Sequence, residues 1–138
     1  MNDLASGIYI KPEHWSQMET EVDTNTPEEA CGIVAGCGNH SKLVIPVTNT
    51  LHSATSFRME PKEQLNAFLL VEERGLDILA IYHSHPEGID NPSFTDFQEL
   101  TFPGIIYLIW YKEVDRWNCK GYLMRSQVEA NEVNVIVK

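Results

Sequence analysis

Positive charge is scarce in this chain: ten lysines and arginines stand against twenty acidic residues, a formal net charge of −10. Nucleic-acid binding relies on clustered Lys and Arg to displace counterions, so no nucleic acid is expected as a partner, and no anionic membrane surface. Cysteine is equally sparse. Cys31, Cys37 and Cys119 form an odd, low set that builds no disulfide framework and suits a reducing compartment. No apolar stretch approaches the ~20 residues of a membrane span. The opening residues, MNDLASGIYIKPEHW, lack a basic segment followed by an apolar run, so no signal peptide is read and a cytoplasmic location is expected. Internal repeats, linkers and low-complexity tracts are missing as well.

What is there suits one domain over residues 1–138. A chain near this length buries roughly 68–70 % of its unfolded surface, enough for a core without staples. Gly7–Ile10 reads as a first strand, and Pro12 suits the first turn of a helix. Trp15, Met18 and Val22 recur at helical spacing, and that helix fades near Asp23–Asn25. Glu28–Gly38 reads as a buried strand entered from a Glu pair, with a turn at Gly38-Asn39 and a returning strand over Lys42–Thr48. A polar loop follows, then a short strand piece at Phe57–Met59. Pro61 opens a second helix with Leu65, Phe68 and Leu69 as its stripe and Gly75 as its cap. Ile78–Tyr82 is an apolar run ending at His83 and reads as a central strand. Ser93–Leu100 reads as a short helix, Gly104–Tyr111 and Trp117–Arg125 as strands around a turn at Asp115, and EVNVIVK as a last strand on an edge. Two or three helices against a mostly antiparallel or mixed sheet make the class α/β (α+β).

The informative stretch is IYHSHPEGIDNPSFTD. His83 and His85 are two apart at a strand end, and in extended backbone such residues point to one side. Two imidazoles can then face one point, and a carboxylate is a suitable third ligand for zinc. Asp96 lies eleven residues past His85, and the intervening PEGIDNP can turn the chain back. Three protein ligands leave a fourth position for water, the catalytic arrangement. Plainer readings compete. Ser93-x-x-Asp96 fits a capping box, which is compatible with ligation, and Pro86 can simply end the strand. Glu29, in P-E-E-A-C-G, can serve as a base if its strand lies beside that of His83. Equally, Glu28 and Glu29 can be solvated charges before a strand, and spacing does not decide between the two.

Together these residues resemble a known family. H-S-H-P, seven residues from His85 to Ser93, Ser-x-x-Asp, and a Glu two residues before Cys-Gly are similar to the JAMM (MPN+) metalloprotease signature. The resemblance runs from the first helix through EEACGIVAG, Phe57–Pro61, AIYHSHP, PSFTD and YLIWY. It implies a curved sheet flanked by helices, related to the cytidine-deaminase architecture. It implies one Zn2+ per chain on His83, His85 and Asp96, with Glu29 as general base and then acid, and Ser93 helping to hold the oxyanion. The implied activity is cleavage of peptide or isopeptide bonds after the Gly-Gly of a ubiquitin-like or sulfur-carrier protein. The short span after Asp96 leaves no room for a chain-gripping insertion, which points to the compact prokaryotic type. Ala80 stands where many relatives carry Gly, a neutral departure.

Three rivals are weighed against it. A catalytically silent scaffold of the same fold binds partners only, but such relatives lose the ligands kept here. A zinc deaminase needs H-x-E and P-C-x-x-C, and neither occurs. Cys31 can act as a nucleophile with His83 or His85, yet it sits in an apolar run that suits a small core residue. His14, His40 and His52 read as helix, turn and loop positions, and Trp110 and Trp117 as sheet packing.

Overall fold

The computed structural model describes residues 4–93, 96, 104–126 and 128–138. Strand β1 (Ile8–Ile10) leads into helix α1 (Pro12–Asn25), which Pro12 opens as expected. Met18 and Val22 are fully buried and Trp15 packs on Trp110, so the helical stripe read from the sequence is the face that meets the sheet. Full burial of each aliphatic side chain contributes roughly 1.5–3 kcal/mol. Strands β2 (Cys31–Cys37) and β3 (His40–Val47) form a hairpin about Gly38-Asn39. Helix α2 (Pro61–Glu73) follows, then β4 (Asp77–His85), β5 (Ile106–Glu113), β6 (Arg116–Ser126), β7 (Glu129–Val133) and β8 (Val135–Val137).

The strands form one mixed sheet in the order β7-β6-β5-β4-β2-β3-β1-β8. β4 is central, antiparallel to β2 and parallel to β5. The crossover from β4 to β5 is the stretch that carries Ser93 and Asp96. β7 and β8 stand at opposite ends of the sheet, yet only Asn134 separates them in the chain. A sheet whose two ends are joined through one residue must curve. α1 covers one face with Ile8, Ile10, Val34, Tyr82, Leu108 and Trp110 beneath it. α2 covers the other, over Cys31, Ile33, Val47, Ile81 and Tyr107. No described helix is long and apolar enough to cross a membrane.

Three expectations are corrected. The inward face of α2 is Ala67 and Val71, with Phe68 at its margin, whereas Leu65 and Leu69 are 56 % and 54 % exposed. Residues 67–71 are apolar without a break, so periodicity did not choose a face; the small side chain of Ala67 lets the helix approach the sheet closely. The strand piece at Phe57–Met59 reduces to a single bridge between Met59 and Asn49. The tail forms two strands, not one, because Asn134 ends pairing with β6 and starts pairing with β1. The helix expected over Ser93–Leu100 falls largely outside the described residues, though Asp96 itself is helical.

A stack joins α1 to the sheet. The Tyr82 ring lies across Gly32, its cross-strand partner, where a Cβ would come within 2.3 Å of the ring. The Tyr82 hydroxyl donates to the Glu21 carboxylate at 2.5 Å. Burial pushes the Glu21 carboxyl up to about 7, against the opposing effect of that hydrogen bond. A folded-state value above the unfolded one, near 4.5, means that the protonated carboxyl favours the fold, and that this contribution is lost as pH rises through 7. Glu21→Gln keeps the neutral form at every pH. Its Tm is expected to match wild type below about pH 4.5 and to rise above it progressively up to pH 7, as melts across that range will show.

Candidate metal centre

β2 and β4 pair with Cys31 opposite His83. Two residues further along that antiparallel register, Glu29 stands opposite His85. Side chains two apart share a face, so Glu29, Cys31, His83 and His85 all lie on the α2 side of the sheet. All of Glu29, His83, His85 and Asp96 are buried. The sequence-predicted residues are thus brought together, Ser93 included.

The histidine Nε2 atoms are 3.0 Å apart. Asp96 Oδ2 lies 3.1 Å from that of His83 and 3.2 Å from that of His85. His85 Nδ1 is 2.8 Å from the Ile89 carbonyl oxygen, which can only accept. Nδ1 of His85 therefore carries a proton, and in the neutral imidazole Nε2 is the nitrogen left with a lone pair toward the cluster. His83 lies under Phe57, ring centroids 4.6 Å apart, with its Nδ1 lacking a hydrogen-bond partner among the described residues.

Asp96 is also the N-terminal residue pair's second half: its Oδ2 accepts from Ser93 N–H at 2.8 Å, and the Ser93 Oγ accepts from Asp96 N–H at 3.1 Å. The capping box is real and coexists with the cluster. Because Ser93 Oγ is an acceptor in it, its O–H is left to donate elsewhere. Burial acts to raise the Asp96 carboxyl, but the His83 charge, hydrogen bonds from both histidines and the Ser93 amide hold it well below the usual carboxylate range. Burial likewise acts to lower His85, and the hydrogen bond and charge of Asp96 outweigh it, so His85 is raised.

A converging set of acceptors is unfavourable unless a positive centre, a proton or a cation, lies among them. Two ligands of a tetrahedral zinc at about 2.0–2.1 Å are roughly 3.3–3.4 Å apart. The observed 3.0–3.2 Å spacings come within a few tenths of an ångström of that, so the donor set fits a metal ion. Two carboxylates flank the imidazoles at different ranges. Asp96 is in contact with both, whereas Glu29 belongs to a looser Glu29–His83–His85 group whose donor atoms lie within 4.8 Å. Glu29 Oε1 makes no hydrogen bond among the described residues. Burial pushes its carboxyl up to about 8, His85 opposing and Asp96 and Glu87 adding to the shift.

Among the described residues none bonds Glu29 Oε1, and its backbone is held firmly instead. Glu29 N–H donates to Ser53 O at 2.8 Å, and Asn49 Nδ2 donates to Glu29 O at 3.0 Å. Asn49 uses its other capacity on Ser56 O, Leu51 N and Arg58 N, which ties the 49–58 loop to Glu29. On the far face of β4, Ser84 Oγ accepts from Ala30 N–H at 2.8 Å while Ser84 N–H donates to Ala30 O. Sequence reasoning passed over Asn49, Ser84 and Phe57. Ser84 had a signal, since a residue between two same-face histidines must point to the opposite face; Asn49 had none.

Cys31 is a core residue. Its thiol donates to Val47 O at 3.3 Å, and burial pushes its pKa far above the ordinary value, so no thiolate is available. His14 bonds Ser41 Oγ, His40 stacks on Tyr9, and His52 pairs with Glu28, all outside the cluster. Trp110 and Trp117 pack as expected, Trp117 donating to Asp23.

Comparison with known proteins agrees with this geometry. The chain is similar to a Pyrococcus furiosus protein named desampylase, 26 % identical over 137 residues, 99 % of this chain and 96 % of the relative. It is 29 % identical over 133 residues to a Mycobacterium tuberculosis protein named CysO-cysteine peptidase, covering 94 % and 91 % of the two chains. A solution structure of a protein from Desulfitobacterium hafniense matches with a TM-score of 0.84 at 29 % identity, over 95 % of this chain and 92 % of that one. Residues 11–120 match the family described as prokaryotic homologs of the JAB domain, and the chain belongs to that family.

Proposed function

We propose that the protein is a zinc-dependent metalloprotease of the isopeptidase type, with His83, His85 and Asp96 as ligands, Glu29 as general base and acid, and Ser93 as an oxyanion donor. The observation that carries this reading is the convergence of the two imidazole Nε2 atoms and Asp96 Oδ2 within 3.2 Å, beside the buried Glu29, whose Oε1 bonds to none of the described residues. Zinc held there supplies Lewis acidity, which acidifies water and polarises a carbonyl. Glu29 then takes a proton from the attacking water and returns it to the departing nitrogen, so that one water and one amide become a carboxylic acid and an amine. Ser93 O–H, left free by the capping box, donates to the oxygen on which negative charge develops. The Asn49 contact to Glu29 and the Ser84 contact to its neighbour Ala30 hold this backbone where the proton transfer needs it.

The substrate class follows from the family and from the compactness of the chain. Relatives named desampylase and CysO-cysteine peptidase are in keeping with a ubiquitin-like or sulfur-carrier protein as partner. Only residues 97–105 lie between Asp96 and β5, too few for a chain-gripping insertion. A Gly-Gly tail lacks Cβ atoms, enters a narrow groove and gains main-chain hydrogen bonds along extended backbone. Recognition of the folded carrier would then supply binding energy remote from the bond that breaks.

Elemental analysis of protein purified without chelator is expected to find one zinc per chain. Asp96→Asn should weaken it, and less than about a tenth of an equivalent, not restored by added zinc, would exclude the ligand set. Glu29→Gln should keep zinc and fold but lose ~10²–10⁴-fold in turnover, the usual contribution of a general acid–base group. Ser93→Ala should lose ~10²–10³-fold, and Cys31→Ala should stay active. In cleavage assays, Gly-Gly-extended carrier proteins should be cut faster than short Gly-Gly peptides or an unrelated unfolded protein. Equal cleavage of the unfolded protein would make the enzyme a general peptidase; no cleavage by zinc-loaded protein would favour the silent scaffold.

A further inference from the structure

We infer that Asp90, Lys120 and Tyr122 form a clamp that sets the tautomer and ring orientation of His85, and so tunes metal affinity from β6. The inference rests on the reading of His85 as a ligand.

The two histidines are held differently. His83 is paired with β2 on one side and β5 on the other, and Phe57 covers its ring. His85 is the last residue of β4, past the end of β2 at Cys31, and its partner in strand pairing is Tyr111 of β5. Its ring orientation therefore depends on the 2.8 Å hydrogen bond from Nδ1 to the Ile89 carbonyl. That bond is the ordinary device by which a ligating imidazole is fixed: the outer nitrogen donates, and the inner one is left with its lone pair.

Ile89 belongs to the loop that turns at Gly88, whose N–H donates to His85 O at 2.9 Å. The Ile89 side chain is turned outward, 48 % exposed, so the residue meets the site through its carbonyl. A carbonyl on a loop aims well only if the loop is held. The next residue does this twice. Asp90 Oδ2 accepts from Lys120 Nζ at 2.8 Å, and Asp90 O accepts from the Tyr122 hydroxyl at 3.0 Å. Lys120 and Tyr122 are two apart on β6 and so share a face. Lys120 is further steadied over the Tyr111 ring, 5.7 Å from its centroid. Tyr111 is the residue opposite His85 on β5, which closes the circuit from β6 back to the ligand. An exposed ion pair contributes little to stability, so the value of this one lies in where it places the neighbouring peptide.

The test measures zinc affinity by chelator competition and the His85 tautomer by 1H–15N NMR of the metal-free protein. It compares wild type with Tyr122→Phe, Lys120→Met and the two combined, with Lys120→Arg as the conservative variant. Outer-shell substitutions typically cost ten- to a hundred-fold in affinity, so the combined variant should raise the zinc Kd about ten-fold or more while Lys120→Arg stays within about two-fold of wild type. His85 should be the Nδ1–H tautomer in wild type and Lys120→Arg, and a mixture in the combined variant. An unchanged tautomer, or an unchanged Kd in the combined variant, overturns the clamp. If wild type binds no zinc, the metal reading fails and the tautomer alone decides the clamp. Should the combined variant not fold, Tyr122→Phe decides it by the same two readouts.

Discussion

The pairing of Cys31 with His83 across β2 and β4 is the contact on which the rest of the site depends. It aligns two sequence-distant segments with a period of two, so that Glu29 and Cys31 on one strand face the same side as His83 and His85 on the other. A slip of one residue would turn Glu29 away from the imidazoles and bury Glu28 in its place. The register is defended from the opposite face. Tyr82 lies on Gly32 and reaches Glu21 of α1, and Ser84 closes two hydrogen bonds on Ala30. Residues with no part in the chemistry therefore decide which side chains meet.

Four ionisable groups share one buried patch, and burial by itself disfavours their charged forms. The cluster answers this cost unevenly. Asp96 is supplied with hydrogen bonds and stays ionised, whereas Glu29 is supplied with none at its Oε1 and is pushed up to about 8. Two carboxyls a short distance apart thus differ in proton affinity because of what surrounds them, the difference that the proposed roles of ligand and proton carrier require. Glu29 is not without support, since Asn49 and Ser53 grip its peptide groups.

The elements that the sequence misreported share a cause. Helix α2 has apolar residues on nearly every side around Ala67–Val71, so its phase was open until the sheet selected the small Ala67. Phe57 looked like strand because it is aromatic, yet its task is to cover His83. The last residues alternate like one strand, and only the curvature of the sheet splits them at Asn134 between its two ends. Each of these depends on a surface that local pattern does not contain.

The sequence by itself determined the strand–helix order, the shared face of His83 and His85, and the Ser93–Asp96 cap, because each arises from backbone periodicity or a hydrogen bond spanning three residues. It also carried the family resemblance, through residue types at fixed spacing. Tertiary structure alone decided that Glu29 is buried beside the imidazoles and not solvated, that Asn49 holds it and Ser84 holds its neighbour Ala30, and that β6 reaches the His85 ring through Asp90 and Ile89. Those contacts join residues that the chain keeps far apart, and only the register of the folded sheet fixes the distance between them.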